Sequence, residues 1–332
     1  MRKKPYYALF LLVLVFILLL SILFSVSVGV AGGSPAALLA TLFHWDSPTE
    51  TGRIIVEMRM PRALAACFTG AAFALAGAVM QGVTRNPLAD SGLLGINAGA
   101  GFFVALAAIL LPTLSSVGMM LAAFLGGALA VLMVYGLGMG KQKAGSIRLI
   151  LAGAAVSAFL TALSQAITLS FGLSKALSFW TAGSLSGITW PRLLLAIPWI
   201  IGAGAVSLLF SQKLSILALG EEGAAGLGVN VWAVRLTGIA AVLVMAGASV
   251  SLVGGISFLG LIVPHSARLM VGTDYRRILP VSALLGSILL VLADIAARTI
   301  HAPFDTPVGA LVSAIGVPVF LGLTYRRKGA IA

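Results

Sequence analysis

Few residues of this chain have types and spacing that could support catalysis or ion coupling. Of its nine acidic residues, only Asp294 lies well within an apolar segment, whereas proton or sodium coupling normally needs several ionisable groups inside the membrane. The sequence contains no GxxxxGK[ST] phosphate loop, no HExxH zinc motif and no GxSxG nucleophile turn. We therefore expect no catalytic residue, and the energy for any active process must come from another subunit.

Metal binding and disulfide formation are not indicated either. The only cysteine, Cys67, lies inside an apolar run. His265 has no second His, Cys or carboxylate at a metal-ligand spacing. It follows Pro264 in a short apolar segment, where a proline frees a backbone carbonyl that a neighbouring helix must satisfy. We interpret Pro264 and His265 as structural, and we expect neither a metal nor a cofactor on this chain.

The composition indicates a polytopic membrane protein. The 332 residues are 60% hydrophobic and 9% charged, with a mean hydropathy of +1.11, whereas soluble domains have about 25% charged residues. The net charge of +12 does not indicate a nucleic acid partner, because the basic residues are spread over loop ends. We expect an all-α fold in which residues 1–332 form a single transmembrane domain of about ten helices.

Hydropathy divides the chain into ten predicted spans. The first follows a basic amino terminus and is too long for a signal peptide, so it is predicted to be a retained helix that starts on the inner side. This topology places fifteen Lys and Arg residues inside and six outside, in agreement with the positive-inside rule. Both termini are therefore predicted to be cytoplasmic. The spans are Tyr7–Val30, Pro61–Gln81, Leu93–Leu111, Gly118–Gly138, Arg148–Ser170, Pro191–Phe210, Leu236–Gly254, Ser257–Val271, Leu279–Thr299 and Pro307–Tyr325.

The inward connection at about residues 212–234 is the most distinctive loop. Its sequence from Leu217 to Val229, LALGEEGAAGLGV, contains two adjacent acids and four glycines. It is too polar to span a bilayer and too apolar for a solvated tether, and its small residues would let another surface approach closely. We interpret it as a docking element for a partner protein. An ordinary cytoplasmic connection with a helix cap is the alternative.

Three arginines are predicted at the outer surface. Arg59 and Arg62 begin the second span, and Arg298 ends the ninth. Cations at a helix amino terminus oppose the macrodipole, so another interaction should hold them there. An acidic partner that docks from outside is our hypothesis, and snorkelling to the interface is the alternative. Asp294, four residues before Arg298, is predicted to orient and neutralise that arginine, with no role in carrying protons.

Two other connections carry patterned residues. Asn86 and Pro87 favour a turn at the inner mouth between the second and third spans, where Asp90 or Ser91 could cap the third span. A purely capping role and a functional role remain open for this connection. In the outer connection from Phe171 to Trp190 the aromatic residues are expected in the interfacial belt, with a substrate-facing vestibule as the alternative.

Seven motifs in the chain together carry a resemblance to a known family. They are RMPR, GAVMQGVTRNPLADSGLLGINAGA, LILAG, LGEEGAAGLGV, GGISFLGLIVPHSARLMVGTDYRRILP, LADIAAR and TPVGALVSAIGVPVF. In order and spacing they are similar to the iron-siderophore and vitamin B12 ABC importer permeases, the FecCD family. The resemblance covers essentially the whole chain and looks closest to the siderophore permeases of Gram-positive bacteria.

The resemblance implies the architecture of a type II ABC importer permease. Such a subunit pairs with a second permease subunit, identical or related, with two ATPase subunits below and an extracytoplasmic binding protein above. Arg59, Arg62 and Arg298 match residues that contact the binding protein. Ser146 and Ile147 match an inner gate by position only, because the residue types differ. The residues that match the ATPase-docking loop, which departs from the acidic-Ala-Ala pattern at Gly223, are Glu221, Glu222, Gly223, Ala224, Gly226 and Gly228.

We therefore expect a transport subunit and not an enzyme. The predicted function is import of a ferric siderophore across the cytoplasmic membrane by alternating access, powered by ATP that a partner subunit hydrolyses. A vitamin B12 or haem importer of the same architecture is one alternative. An ion-coupled secondary transporter is another, although it would need a coupling-ion site.

Overall fold

The computed structural model of the chain describes residues 4–28, 49–138, 146–172 and 180–328. All regular elements within these residues are helical. A π-helical turn, Ile55–Arg59, joins α2 to α3, and a 3-10 turn, Ser91–Leu94, precedes α4. The α-helices are α1 Lys4–Ser27, α2 Glu50–Ile54, α3 Met60–Thr84, α4 Ile96–Leu110, α5 Ser116–Gly138, α6 Ser146–Ser170, α7 Trp190–Leu209, α8 Ser211–Leu217, α9 Glu221–Gly226, α10 Val231–Val253, α11 Leu259–Val271, α12 Tyr275–Thr299 and α13 Val308–Lys328.

The ten predicted spans all coincide with helices. Seven helices in the described part of the chain are long and apolar enough to cross a membrane. Three shorter apolar segments, in α4, α11 and the first part of α13, account for the remaining spans, and they are Ile96–Leu110, Leu259–Val271 and Val308–Phe320. The 13-residue α11 covers only about 20 Å of a hydrocarbon core of about 30 Å. The backbone before it, from Gly254 to Phe258, is not helical and is only partly buried. At the preceding end of α10, the Val253 carbonyl accepts a hydrogen bond from the Ser184 N–H at 2.8 Å.

The second span begins earlier than the sequence predicted. One continuous helical segment of 35 residues runs from Glu50 to Thr84, and it begins at Thr49, whose side chain accepts from the Gly52 N–H at 3.2 Å. The expectation that Arg59 and Arg62 lie at a helix amino terminus is therefore wrong. Helical backbone precedes both arginines, so they do not face the unpaired N–H groups of a first turn.

Helix α3 lies at the centre of the bundle, where α1, α7, α10, α11 and α12 pack around it. The closest approaches are between glycines. A Cβ atom at Gly70 would collide with the backbone of Gly286 in α12, and one at Gly77 would collide with Gly260 in α11. Small residues at such positions let the helices pack backbone against backbone, which is the common basis of helix association in membranes.

Candidate functional site

The π turn before α3 leaves a backbone carbonyl at the outer end of the protein free to bind another helix. The Met60 N–H bonds to the Ile55 carbonyl five residues back, so the Val56 carbonyl receives no bond from Met60. The Val56 carbonyl instead accepts a hydrogen bond from the Trp190 indole N–H at 2.9 Å. Trp190 was expected to lie in the interfacial belt, but its N–H is satisfied inside the protein and ties α7 to the start of α3.

Arg59 and Arg298 bind the carboxyl end of α1. Arg59 Nη1 donates to the carbonyls of Val26 and Ser27, each at 3.3 Å. Arg298 Nη2 donates to the Ser25 carbonyl at 3.2 Å and to the Ser25 hydroxyl at 2.7 Å. The last carbonyls of a helix lack intrahelical partners, and cations are favourable there. Because the last turn of α1 contains no basic residue of its own, these two arginines supply the charge.

Arg62 joins two carboxylates to α3. Its Nε donates to Asp294 Oδ1 at 2.8 Å, and its two Nη atoms bind the carboxylate of Asp305 at 2.9 and 3.2 Å. Arg298 Nη2 lies 3.1 Å from Asp294 Oδ2, so the predicted pairing within α12 is present. Asp294 is fully buried and forms ion pairs with both arginines. Burial acts to raise the pKa of Asp305, but the hydrogen bonds and charge of Arg62 outweigh it, and this pKa lies below its usual range.

The structure thus brings the three predicted outer arginines into one cluster. Their side chains are largely buried, with that of Arg62 14% exposed, and all three have partners inside the chain. Their contact with a binding protein stays a prediction. Asp305, at 28% exposure, was missed by the sequence interpretation, although an acid seven residues after Arg298 in an outer connection was an available signal.

The inner mouth consists of two turns. Asn86 Oδ1 accepts from the Leu88 N–H at 3.0 Å, which closes the predicted Asn-Pro turn. Asp90 caps the 3-10 turn that starts at Ser91 and does not cap the third span, because Gly95, at φ 70°, separates that turn from α4. The prediction that Asp90 or Ser91 caps the third span is therefore wrong. Burial raises the pKa of Asp90 to about 6.

The positions of these turns do not test the predicted inner gate. Pro87 lies in the turn between α3 and the 3-10 segment. Ser146 and Ile147 form the first residues of α6, but their side chains lie outside the described part of the structure. A gating role for Asn86, Pro87, Ser146 and Ile147 therefore stays a prediction.

Pro264 acts as the sequence predicted. It lies inside α11 and cannot donate to the Gly260 carbonyl four residues back. Gln81 Nε2 of α3 donates to that carbonyl at 3.1 Å, and Gln81 Oε1 accepts from Arg268 at 2.5 Å. The neighbouring His265 is half-buried, and the described residues contain no group of three or more potential metal ligands around it.

The docking loop contains two short helices, α8 and α9. Ala224 packs α9 onto the bundle, while Leu219 and Leu227 are 77% and 65% exposed. A Cβ atom at Gly223 or Gly226 would meet nothing within 4 Å. The loop therefore presents apolar side chains and open space on the side that faces away from the helix bundle, as a docking element requires. Gly228 has a φ of 75°, so its conformation favours glycine whatever contacts it.

A cavity of about 610 Å³ lies between α4 and α6, and most of the described residues that line it have polar side chains. It was not predicted, although five polar residues of the apolar α6 recur at helical spacing and share one face. Asn97 of α4 also lines it, and its buried Oδ1 has no hydrogen-bond partner among the described residues. Among the described residues, none of those that line the cavity carries a charged side chain. The five residues of α6 are Ser157, Thr161, Ser164, Gln165 and Thr168.

Comparisons with known proteins agree with this architecture. The chain is 42% identical over 315 residues to the iron(3+)-hydroxamate import system permease protein FhuB of Bacillus subtilis, covering 94% of this chain and 82% of that protein. It is 41% identical over 308 residues to the Fe(3+)-citrate import system permease protein YfmD of the same organism, covering 92% and 90%.

A solved transporter described as being of the metal-chelate ABC type, in an inward-facing conformation, shares the fold. It superposes with a TM-score of 0.83 at 27% identity, covering 96% of this chain and 99% of that one. The model of the FecCD transport family matches residues 17–326. This chain therefore belongs to the FecCD transport family.

Proposed function

We propose that this chain is the permease subunit of an ABC importer that moves a ferric siderophore across the cytoplasmic membrane. Family membership supports a transport role, and the two relatives above are named for import of iron(3+)-hydroxamate and Fe(3+)-citrate. The vitamin B12 or haem importer remains the runner-up within the same architecture.

The observation that carries the proposal is the polar face of α6. A spanning helix in contact with lipid gains nothing from five aligned polar side chains, whereas a helix that lines a polar pathway does. The cavity volume of about 610 Å³ lies within the range of small-molecule sites. Hydroxyl and amide groups can exchange hydrogen bonds with the oxygen atoms of a chelate and still release it, because neutral groups bind such atoms less tightly than fixed charges do. The lining residues that the structure describes are all uncharged.

The partners follow from the same proposal. A second permease subunit, two ATPase subunits that bind and hydrolyse ATP, and an extracytoplasmic binding protein complete the transporter. The exposed Leu219 and Leu227 support ATPase docking at the inner loop. The outer cluster carries three guanidinium groups against two carboxylates, so it keeps a positive charge that favours an acidic binding protein. Both termini lie in the cytoplasm.

Uptake by cells that lack this chain tests the proposal. Ferric trihydroxamate, ferric citrate, a ferric catecholate and cobalamin are supplied singly, each with a radioactive metal. We expect loss of uptake for at least one ferric chelate and unchanged cobalamin uptake. Loss of cobalamin uptake alone would establish the runner-up and overturn the siderophore assignment.

A matched pair of substitutions tests the cavity. Thr161→Val keeps the side-chain shape but removes a hydroxyl from the polar face of α6, whereas Thr237→Val makes the same change on an exposed position of α10. We expect Thr161→Val to change the rate or selectivity of chelate uptake and Thr237→Val to leave both unchanged. Equal effects of the two substitutions would show that the polar face is not the pathway.

A further inference from the structure

One carboxylate ties the docking loop to the spanning helices. Glu221 Oε1 accepts hydrogen bonds from Arg85 Nη2 and from Arg235 Nη2, each at 2.6 Å. Arg85 terminates α3 in the left-handed conformation at φ 53°, and Arg235 lies in the second turn of α10. Three elements that are separate in the sequence, α3, α9 and α10, therefore meet at a single oxygen atom.

The adjacent acid is placed differently. Glu222 is exposed and forms no ion pair within the described part of the chain. Since Ala224 is fully buried against the bundle, α9 has one side on the protein and one side open. The two acids are thus divided, with Glu221 bound between α3 and α10 and Glu222 left on the open side.

Helix α3 extends this contact to the opposite end of the protein. The continuous helical segment from Glu50 to Thr84 has 35 residues and is about 50 Å long. Arg85 follows its inner end, and Arg62 binds Asp294 and Asp305 near its outer end. Because the segment is packed along its length, displacement of α9 at the inner surface would move α3 as a rigid element.

We propose that Glu221 is a positioning residue that couples the docking helix α9 to α3 and α10, so that the three elements move together when the partner ATPase changes state. The inference rests on the proposed function as an ABC permease and assigns the two acids of the docking loop different roles. The ion pairs of Glu221 are well exposed to solvent, so their removal has little effect on folding. Removal of these ion pairs instead weakens the transfer of movement from α9 to α3 and α10.

The experiment uses the whole transporter, captured from native membranes through a tag on this chain and reconstituted into lipid vesicles. ATP hydrolysis and the uptake of ferric trihydroxamate are measured on the same sample, so uptake per ATP is obtained directly. For Glu221→Gln we expect co-purified ATPase and hydrolysis as in wild type, with uptake per ATP lower by about two- to thirtyfold. A loss of fold would lower co-purification, hydrolysis and uptake together.

Three further variants separate coupling from other roles. Arg85→Gln should cause part of the uncoupling, because it leaves the Arg235–Glu221 pair in place. The double variant should be no worse than Glu221→Gln alone, since that change already removes the Arg85 contact. Glu222→Gln, on the open side of α9, should lower the amount of co-purified ATPase but leave the uptake per ATP of the remaining complex unchanged. Arg276→Gln, which removes an exposed inner arginine at the start of α12, serves as the matched control and should leave all readouts unchanged.

Three results would overturn the inference. The first is loss of the ATPase from the Glu221→Gln complex, which would place Glu221 in the ATPase contact itself. The second is wild-type uptake per ATP in Glu221→Gln, and the third is equal uncoupling by Glu222→Gln. If the wild-type complex contains no ATPase and shows no ATP-driven uptake of the trihydroxamate, citrate or catecholate chelate, the proposed function fails and this inference fails with it.

Discussion

Substitution of Asp294 tests whether the buried acid serves structure or transport. Asp294 is fully buried and bound by Arg62 at 2.8 Å and by Arg298 at 3.1 Å. Loss of one partner from a buried ion pair costs about 3–5 kcal/mol. Arg62 would keep Asp305 and Arg298 would keep Ser25, so we expect Asp294→Ala to cost about 3 kcal/mol, at the lower end of that range. Asp294→Asn should cost less, because the amide oxygen can still accept from Arg62.

Cys67 provides a built-in probe for this measurement. It is the single cysteine of the chain and lies partly buried in α3, where its carbonyl accepts from Ser287 of α12 at 2.8 Å. A thiol-reactive dye therefore reports separation of α3 from α12 during heating in detergent. The control is Asp274→Asn, at the other end of α12, where the acid caps the helix and asparagine is an equally good cap.

Transport of the same variants decides the functional question. We expect Asp294→Asn to retain ATP-driven uptake of the ferric chelate in vesicles whose proton gradient has been collapsed by an ionophore. Loss of uptake in Asp294→Asn at wild-type thermal stability would refute the structural role. If wild-type uptake stops when the gradient is collapsed while ATP remains, the ABC assignment is wrong and Asp294 becomes a candidate coupling residue.

Three other perturbations test the ends of the bundle. Gly223→Trp should block co-purification of the ATPase without loss of membrane insertion, because a side chain at this position has no neighbour among the described residues of this chain and would extend into the docking surface. Gly228→Trp is less informative, since the backbone conformation of Gly228 by itself disfavours any side chain. Asp305→Asn should strengthen docking of the binding protein at low salt, because it releases Arg62 from a competing carboxylate, and weaker docking would refute this. Burial raises the pKa of Asp90 from 3.8 to about 6, so its ionisation lowers the free energy of unfolding as the pH rises through that interval. Asp90→Asn should therefore stabilise the protein above about pH 6 and have less effect near pH 4, which tryptophan fluorescence during thermal unfolding can measure.

Substitution of the outer arginines would not test docking of the binding protein cleanly. Exchange of Arg59 for Glu would place an acid beside the last carbonyls of α1, and exchange of Arg62 for Glu would place it beside Asp294 and Asp305. Both changes would disrupt the fold as well as any docking contact. Asp305 is the cleaner position for a docking test, because its neutralisation leaves the Arg62–Asp294 pair in place.

Local features of the molecule were predictable from the amino-acid sequence. Ten apolar segments predicted ten helices, since the hydrophobic thickness of a bilayer sets the length of a span. The spacing of Asp294 and Arg298 predicted their pairing, because residues four apart lie on one face of a helix. Pro264 predicted that a backbone carbonyl would need an outside donor. Each of these inferences depends only on residues within a single segment of the chain.

What only the tertiary structure decided is the choice of partners across the bundle. Three such contacts join residues that are 136 to 243 positions apart in the sequence. They are the hydrogen bond from Gln81 to the Gly260 carbonyl, the pair of Arg62 with Asp305, and the pair of Arg85 with Glu221. Sequence spacing carries no information on such pairs, because they depend on how helices pack and on which face each one turns inward. The polar face of α6 was visible in the sequence as a spacing, but only the packing of α4 against it makes that face the wall of a cavity.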